Sequence, residues 1–360
     1  MANILKGIDK IVTTSNTEVD LDNIQASGGS AGSSTTIVTA GGLAISKTET
    51  ADEIGYHFSA EVPFPKADGH STSASVLMMA GGHDGGLTNV IDQKQFASKA
   101  DGTSYDGTSH GVLDVGRYNL QGASDGSQMM SLGGWGSSAS NVCCLTSFAS
   151  NSTSSDHGDL MSPAESSSTC SNSTQVLVAG GWNNGNLAQI QMKTFASSAI
   201  SVNAQILTQQ KRGSKGTSDG TVALIMGGWA NNAVSNVDHK AFETEEDATA
   251  WAAMTSGRAW GMASSNGTIA MYCGGYTGSD EDDCYQLLFA DQSTCVDHGL
   301  INFNRQQAGH GSDGDQMLIA GGSSTLNTCC MKQFDDNATA EAWGTIYLGR
   351  RNPASGSGTP

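Results

Sequence analysis

Six short apolar runs punctuate the chain, and each ends in a glycine pair: VLMMA at 76–80, QMMSL at 128–132, QVLVA at 175–179, VALIM at 222–226, IAMYC at 269–273 and QMLIA at 316–320. They show little polar alternation. A continuous apolar run of this length predicts a strand covered on both faces. Ahead of five of them stands a turn residue, Asp125, Asn172, Asp219, Asn266 or Asp313. An Asp-Gly pair there supplies the positive φ of a tight hairpin. Before that turn the chain becomes rich in Gly, Ala and Ser, as in LQGAS, GMASS and GHGS. Residues 117–163 illustrate the unit: a strand near 118–123, the turn SDGS, the strand QMMSL, a third strand in NVCCLTSFA and a fourth near SDHGDLMSP.

The first glycines of the pairs, Gly41 included, are Gly41, Gly81, Gly133, Gly180, Gly227, Gly274 and Gly321, spaced by 40, 52, 47, 47, 47 and 47 residues. Four equal intervals mark a structural repeat. Other columns keep the same register. Fifteen positions after the glycine come Tyr56, Phe96, Phe148, Phe195, Phe242 and Phe289, with Phe334 two earlier in the last unit. Further on come Tyr105, His157, Trp251, His298 and Trp343. Sixteen positions before come Arg117, Lys211, Arg258 and Arg305, and the next such place holds Arg350. A unit of four strands with a doubly covered second strand and a first strand of small residues predicts an all-β protein, a β-propeller whose small-residue strands converge on the axis. Seven four-stranded blades are expected over 25–351, with a short N-terminal extension. Six blades is the competing count, because the first unit lacks the basic residue and the turn residue. Residues 1–24 are expected to be a docking arm carrying Ile4, Leu5, Ile8, Ile11 and Val12, and 352–360 a C-terminal tail.

Composition narrows the function. The 360 residues carry a net charge of -18 with only 17 Lys and Arg. No basic run exists to neutralise phosphates, so no nucleic-acid partner is expected. No stretch approaches the length of an apolar membrane span, and MANILKGIDKIVTT has no continuous apolar segment of the secretory kind, so no membrane insertion is expected. The eight cysteines lack C-x-x-C spacing and are read as small buried thiols.

The Gly-Gly after a hydrophobic strand, the aromatic column and the Arg before the next unit resemble the kelch repeat. Trp251 and Trp343 match the position where kelch units often carry Trp. The third-strand Tyr of kelch units is mostly Phe here. The units also carry F-A-S, as in Phe96-Ala97-Ser98, and a tail with Gly111, Leu113 and Arg117. That variant is similar to kelch-like repeats in virion structural proteins of tailed phages, especially marine ones. The resemblance implies a non-enzymatic particle component: a head decoration, a tail accessory or a fibre-associated propeller. It implies other capsid or tail proteins as partners, a host-surface glycan or receptor as a further contact, no cofactor, and a place in the virion after assembly in the host cytoplasm. The alternative is a lectin-like or adhesin propeller that binds carbohydrate.

Candidate chemistry is sparse. The glycine pairs end strands and open no helix, so they are not phosphate loops. No nucleophile elbow or H-E-x-x-H is present, and no catalytic residue is assigned. Trp135, Trp182, Trp229 and Tyr276, with His83, recur two positions after the glycine and are the candidate binding face. The acidic run GSDEDD places Asp280, Asp282 and Asp283 as a candidate calcium loop without the EF-hand pattern. The basic column is read as structural, bound to carbonyls or to acidic residues.

Overall fold

The computed structural model describes residues 76–99, 111–150, 153–292, 295–323 and 326–359, together with the backbone of six short strands between 4 and 58. The chain divides into two compact units, Met1–Pro65 and Lys66–Pro360. In the first, Ser34–Val38, Ala44–Glu49 and Ile54–Phe58 form a meander, and Ile4–Leu5 pairs with its last strand. Lys10–Val12 pairs with Glu18–Asp20. Ile4, Leu5, Ile11 and Val12 of the expected arm therefore stand in paired strands, while Ile8 lies outside the described residues. The unit boundary falls at Pro65 and not near residue 24.

The second unit is an all-β propeller of six blades, with no α-helix among the described residues. Five blades are four-stranded antiparallel meanders. The second blade runs from Gln121–Ser124 to Ser155–Asp159, and the third from Ser168–Ser171 to Val202–Ile206. The fourth runs from Lys215–Ser218 to Thr249–Ala253, the fifth from Met262–Ser265 to Val296–Leu300, and the sixth from Gly309–Ser312 to Glu341–Thr345. The first blade takes its innermost strand from the far end of the chain. Ala354–Gly358 pairs antiparallel with Val76–Ala80, which pairs with Ile91–Gln95. Residues 100–110, where the fourth strand of this blade is expected, lie outside the described residues.

The expected count of seven is thereby corrected to six. The six innermost strands touch in cyclic order, and Ala354–Gly358 lies between Gly309–Ser312 and Gln121–Ser124. No gap remains for a seventh sheet, and the unit around Gly41 belongs to the other compact unit. The stretch expected as a tail thus supplies the closing strand.

Why these residues form blades is visible in the burial. Each second strand is nearly fully covered, and its side chains meet the neighbouring sheet. Between the fourth and fifth blades, Leu224 and Met226 join Tyr272, Tyr285 and Leu287 in one apolar cluster. Each such large side chain contributes about 1.5–3 kcal/mol on burial. The turn residues act as expected. Asp219 Oδ1 accepts from the main-chain N–H groups of Thr221 and Val222, both at 2.8 Å, and Gly220 follows at φ 87°. In the third blade Ser173 occupies the glycine position at φ 69°.

Serines fasten the inner strands to one another. Ser124 Oγ donates to Ser357 O at 2.6 Å, Ser171 Oγ to Ser124 O at 3.0 Å and Ser218 Oγ to Ser171 O at 2.5 Å.

Candidate functional site

The glycine pairs and the basic column form one device. In all six blades both glycines have positive φ. The second N–H donates to the main-chain carbonyl of the residue that opens the next blade. Gly82 reaches Arg117 at 2.8 Å, Gly228 reaches Arg258 at 2.7 Å, and Gly322 reaches Arg350 at 2.9 Å across the ring closure. The first glycine lies so close to that carbonyl that a Cβ at Gly227 would stand 2.4 Å from Arg258 O. The same arginines turn their side chains to their own blades. Arg117 Nη1 donates to Val142 O at 2.9 Å and also to Gly133 O, and Arg305 Nη1 donates to Gly321 O and Thr328 O, both at 3.1 Å. Arg350 Nη1 donates to Gly81 O and its Nη2 pairs with Asp92. Each basic residue thus clasps two blades, as expected for a structural column. At the junction between the second and third blades the position is Ala164, and only the main-chain half of the clasp remains: Gly134 N–H to Ala164 O, 2.9 Å.

A second buried cation column was missed by the sequence reading. Lys94, Lys193, Lys240 and Lys332 cap the loop that follows the third strand. Lys193 Nζ donates to Ser197 O at 3.1 Å, and Lys332 Nζ to Asp336 O and Ala338 O at 2.5 and 2.7 Å. Its signal was K-x-F, with a lysine two residues before Phe96, Phe195, Phe242 and Phe334 of the aromatic column, while Phe148 and Phe289 follow Thr146 and Leu287.

The candidate binding residues do come together on one loop face. His83, Trp135, Trp182, Trp229 and Tyr276 are all half-buried. Reciprocal main-chain hydrogen bonds hold each against the start of a blade. Trp229 N–H donates to Arg212 O at 2.7 Å and Arg212 N–H to Trp229 O at 3.1 Å; Trp135 and Tyr118, and His83 and Arg351, repeat the pattern. The aromatic groups are unevenly filled. His83 meets Tyr118 edge-on at 5.6 Å, and the Arg212 guanidinium lies 4.4 Å from the Trp182 ring. Trp229 stacks on Trp260 at 5.7 Å, and Tyr276 lies 6.1 Å from Trp260. In the sixth blade Ser323 takes the corresponding place.

Trp260 was also missed. It belongs to a collar of six residues, one per blade, with left-handed backbone: Asn119, Ser166, Gly213, Trp260, Gln307 and Asn352, at φ between 51° and 63°. Their amides link around the axis. Gly213 N–H reaches Ser166 O, Trp260 N–H reaches Gly213 O at 2.6 Å, and Gln307 N–H reaches Trp260 O. A bulky residue in this conformation carries strain of about 1–3 kcal/mol. Gly213 is required opposite it, since a Cβ there would meet Trp260 Nε1 at 2.5 Å. The sequence signal was a single aromatic residue in a column otherwise Asn, Ser, Gly or Gln.

The candidate calcium residues do not converge. They stand at the start of a strand, Asp280–Leu288, and not in an open loop. Asp280 accepts from Gln306 Nε2 at 2.8 Å and from Ser323, on the sixth blade. Asp283 turns inward to Arg258 and Tyr285. Among the described residues no group of three His, Cys, Asp or Glu side chains forms a metal site. His157 and His298 bond loop-facing carbonyls, Thr194 O at 3.0 Å and Gln333 O at 2.9 Å, as packing residues do. All eight cysteines are buried thiols that form no disulfide. Burial pushes the Cys143, Cys144 and Cys295 thiols up to about 12, so they stay protonated at neutral pH.

The chain matches no protein-family model and no curated protein.

Proposed function

We propose that this protein is a non-enzymatic structural disc that holds partner proteins in a phage-like particle, with the arc of half-exposed aromatic side chains on one loop face as its docking surface. The arc carries the reading: Trp135, Trp182, Trp229, Tyr276 and His83 sit on a ring held by clasps, joined by Trp260 and Tyr118. Large aromatic groups on a preorganised scaffold lose little freedom on binding and are the usual anchors of protein interfaces. The net charge of -18 favours a partner face bearing basic groups. The resemblance to kelch-like virion repeats supports the particle setting, as head decoration, tail accessory or fibre-associated propeller. The unit Met1–Pro65, with Ile4, Leu5, Ile8, Ile11 and Val12, serves as a second attachment point in this reading.

The test is quantitative mass spectrometry of purified particles from the source culture. A copy number in fixed ratio to the major capsid protein is expected. Absence from particles overturns the proposal. Exposed Trp faces also suit sugar rings, and a glycan array reads that alternative: binding lost in Trp182→Ala and Trp229→Ala would make the disc a lectin-like propeller.

A further inference from the structure

The axis of the ring holds a buried cation that the clasps do not use. Lys215 opens the inner strand of the fourth blade, two residues after the collar glycine Gly213. It is 8% exposed. Its hydrogen-bond partner is neutral: Gln121 Oε1, across the axis on the second blade, at 3.3 Å. Every other described Lys or Arg that is buried meets a carboxylate or a main-chain carbonyl. No acid acts on Lys215, and burial alone lowers its ammonium to about 8. An isolated buried charge is costly unless something of opposite sign reaches it.

The surroundings supply the rest of a site. Lys215 and Gln121 line a small cavity with Thr169, His310 and Ser355. This cavity shares Gly122, Thr169, Gly216, His310 and Ser355 with a larger one of about 40 Å³ farther along the axis. Buried hydroxyls of Thr217 and Ser264 on the larger cavity's wall find no partner among the described residues. Thr169, His310 and Ser355 are half-exposed, so the passage is open to solvent. Its wall carries hydrogen-bond donors, one positive charge and no carboxylate. The cavity that Lys215 lines is about 10 Å³ and holds one water-sized particle, while the larger one holds about three waters at roughly 10–15 Å³ each. Beside Lys215 that suits a single halide-sized ion and is too small for a nucleotide or a sugar.

We propose that the axial passage is a binding site for a small monovalent anion, with Lys215 as its charge partner and the Gln121 amide and the neighbouring hydroxyls as its polar wall. The anion stands where the clasps place Asp92, Asp238 and Asp283. It enters at the collar end, beside Trp260 and the aromatic arc.

Crystals soaked in sodium bromide below pH 7 test this directly by anomalous scattering. A bromide peak within about 3.5 Å of Lys215 Nζ is expected in the wild type, and its loss is expected in Lys215→Met. Met262 holds the equivalent position in the fifth blade, so the variant fits the ring. Lys215→Gln serves as a second variant that keeps a polar side chain. The proposal is overturned by wild-type crystals that carry bromide elsewhere but none on the axis. It is equally overturned by an axial peak that survives in both variants.

Discussion

Lys211 and Lys215 stand four residues apart in one blade, both buried, and they do opposite things. Lys211 Nζ lies 2.7 Å from Asp238 in the clasp belt, where each charge has an opposite or a carbonyl beside it. Lys215 lies on the axis with a neutral amide as its contact. In the belt, glycine amides, main-chain carbonyls and basic side chains answer one another at every junction but that of Ala164, with Asp92 Oδ1 and the Nε atoms of Arg117, Arg305 and Arg350 left over among the described residues. The axis and the aromatic mouth are where groups are left over: hydroxyls without partners, a strained Trp260 and half-buried rings. Stability resides in the first region. The second holds both proposed binding surfaces.

Breaking the belt has the largest expected effect. Arg350→Met removes the side chain that fastens the closing segment to the first blade and leaves Asp92 buried without its cation. Burial already raises the Asp92 carboxyl against the pull of Arg350 beside it. A loss of about 3–5 kcal/mol is expected in denaturant unfolding.

The axis predicts a pH effect of similar scale and distinct sign. The Lys215 ammonium titrates at about 8 in the fold against 10.5 unfolded. Below pH 8 the folded state bears the full cost of the buried charge, about 3 kcal/mol. Between pH 8 and 10.5 the unfolded chain binds more protons, so stability rises with pH. Lys193, Lys211 and Lys240 are also lowered by burial, so the wild type is compared with Lys215→Met. The stability gap between the two should close across that window. A gap constant with pH would place the cost elsewhere.

At the aromatic mouth, Trp229→Ala is expected to weaken incorporation into particles by about thirtyfold, equivalent to about 2 kcal/mol, while the ring stays folded. Competition between tagged wild type and variant during assembly measures it, and equal incorporation removes Trp229 from the docking surface. The smallest effect lies outside both regions. Ser173→Gly relieves a left-handed serine in the third-blade hairpin and should add about 1 kcal/mol. Thermal unfolding reads the gain.

The belt was largely legible in the sequence because it recurs. The glycine pair, the basic column and the turn residues each repeat at 47 residues, and repetition separates a structural column from chance. The blade count was misread because Gly41 carries the pair without its partners. The closing strand ASGSG also looked like a tail. It has the composition of an inner strand and stands four residues after Arg350, as Gln121 stands four after Arg117. The K-x-F column repeats too and could have been found. The axis could not. Lys215 shares its column with Gln121, Ser168, Met262 and Gly309, which have no common chemistry. Its meaning depends on which residues face it across the ring. For the same reason Trp260 stood out only once its neighbours proved to share one unusual backbone conformation.

The contrast between belt and axis is tested most directly by measuring unfolding free energies of Lys211→Met and Lys215→Met side by side at pH 7 in a halide-free buffer. Lys211→Met should lose about 3–5 kcal/mol, because Asp238 is left without its ammonium. Lys215→Met should gain about 2 kcal/mol: relief of about 3 kcal/mol of buried charge, less about 1 kcal/mol for the Gln121 contact. Opposite signs uphold the account; a loss of stability in both variants contradicts it.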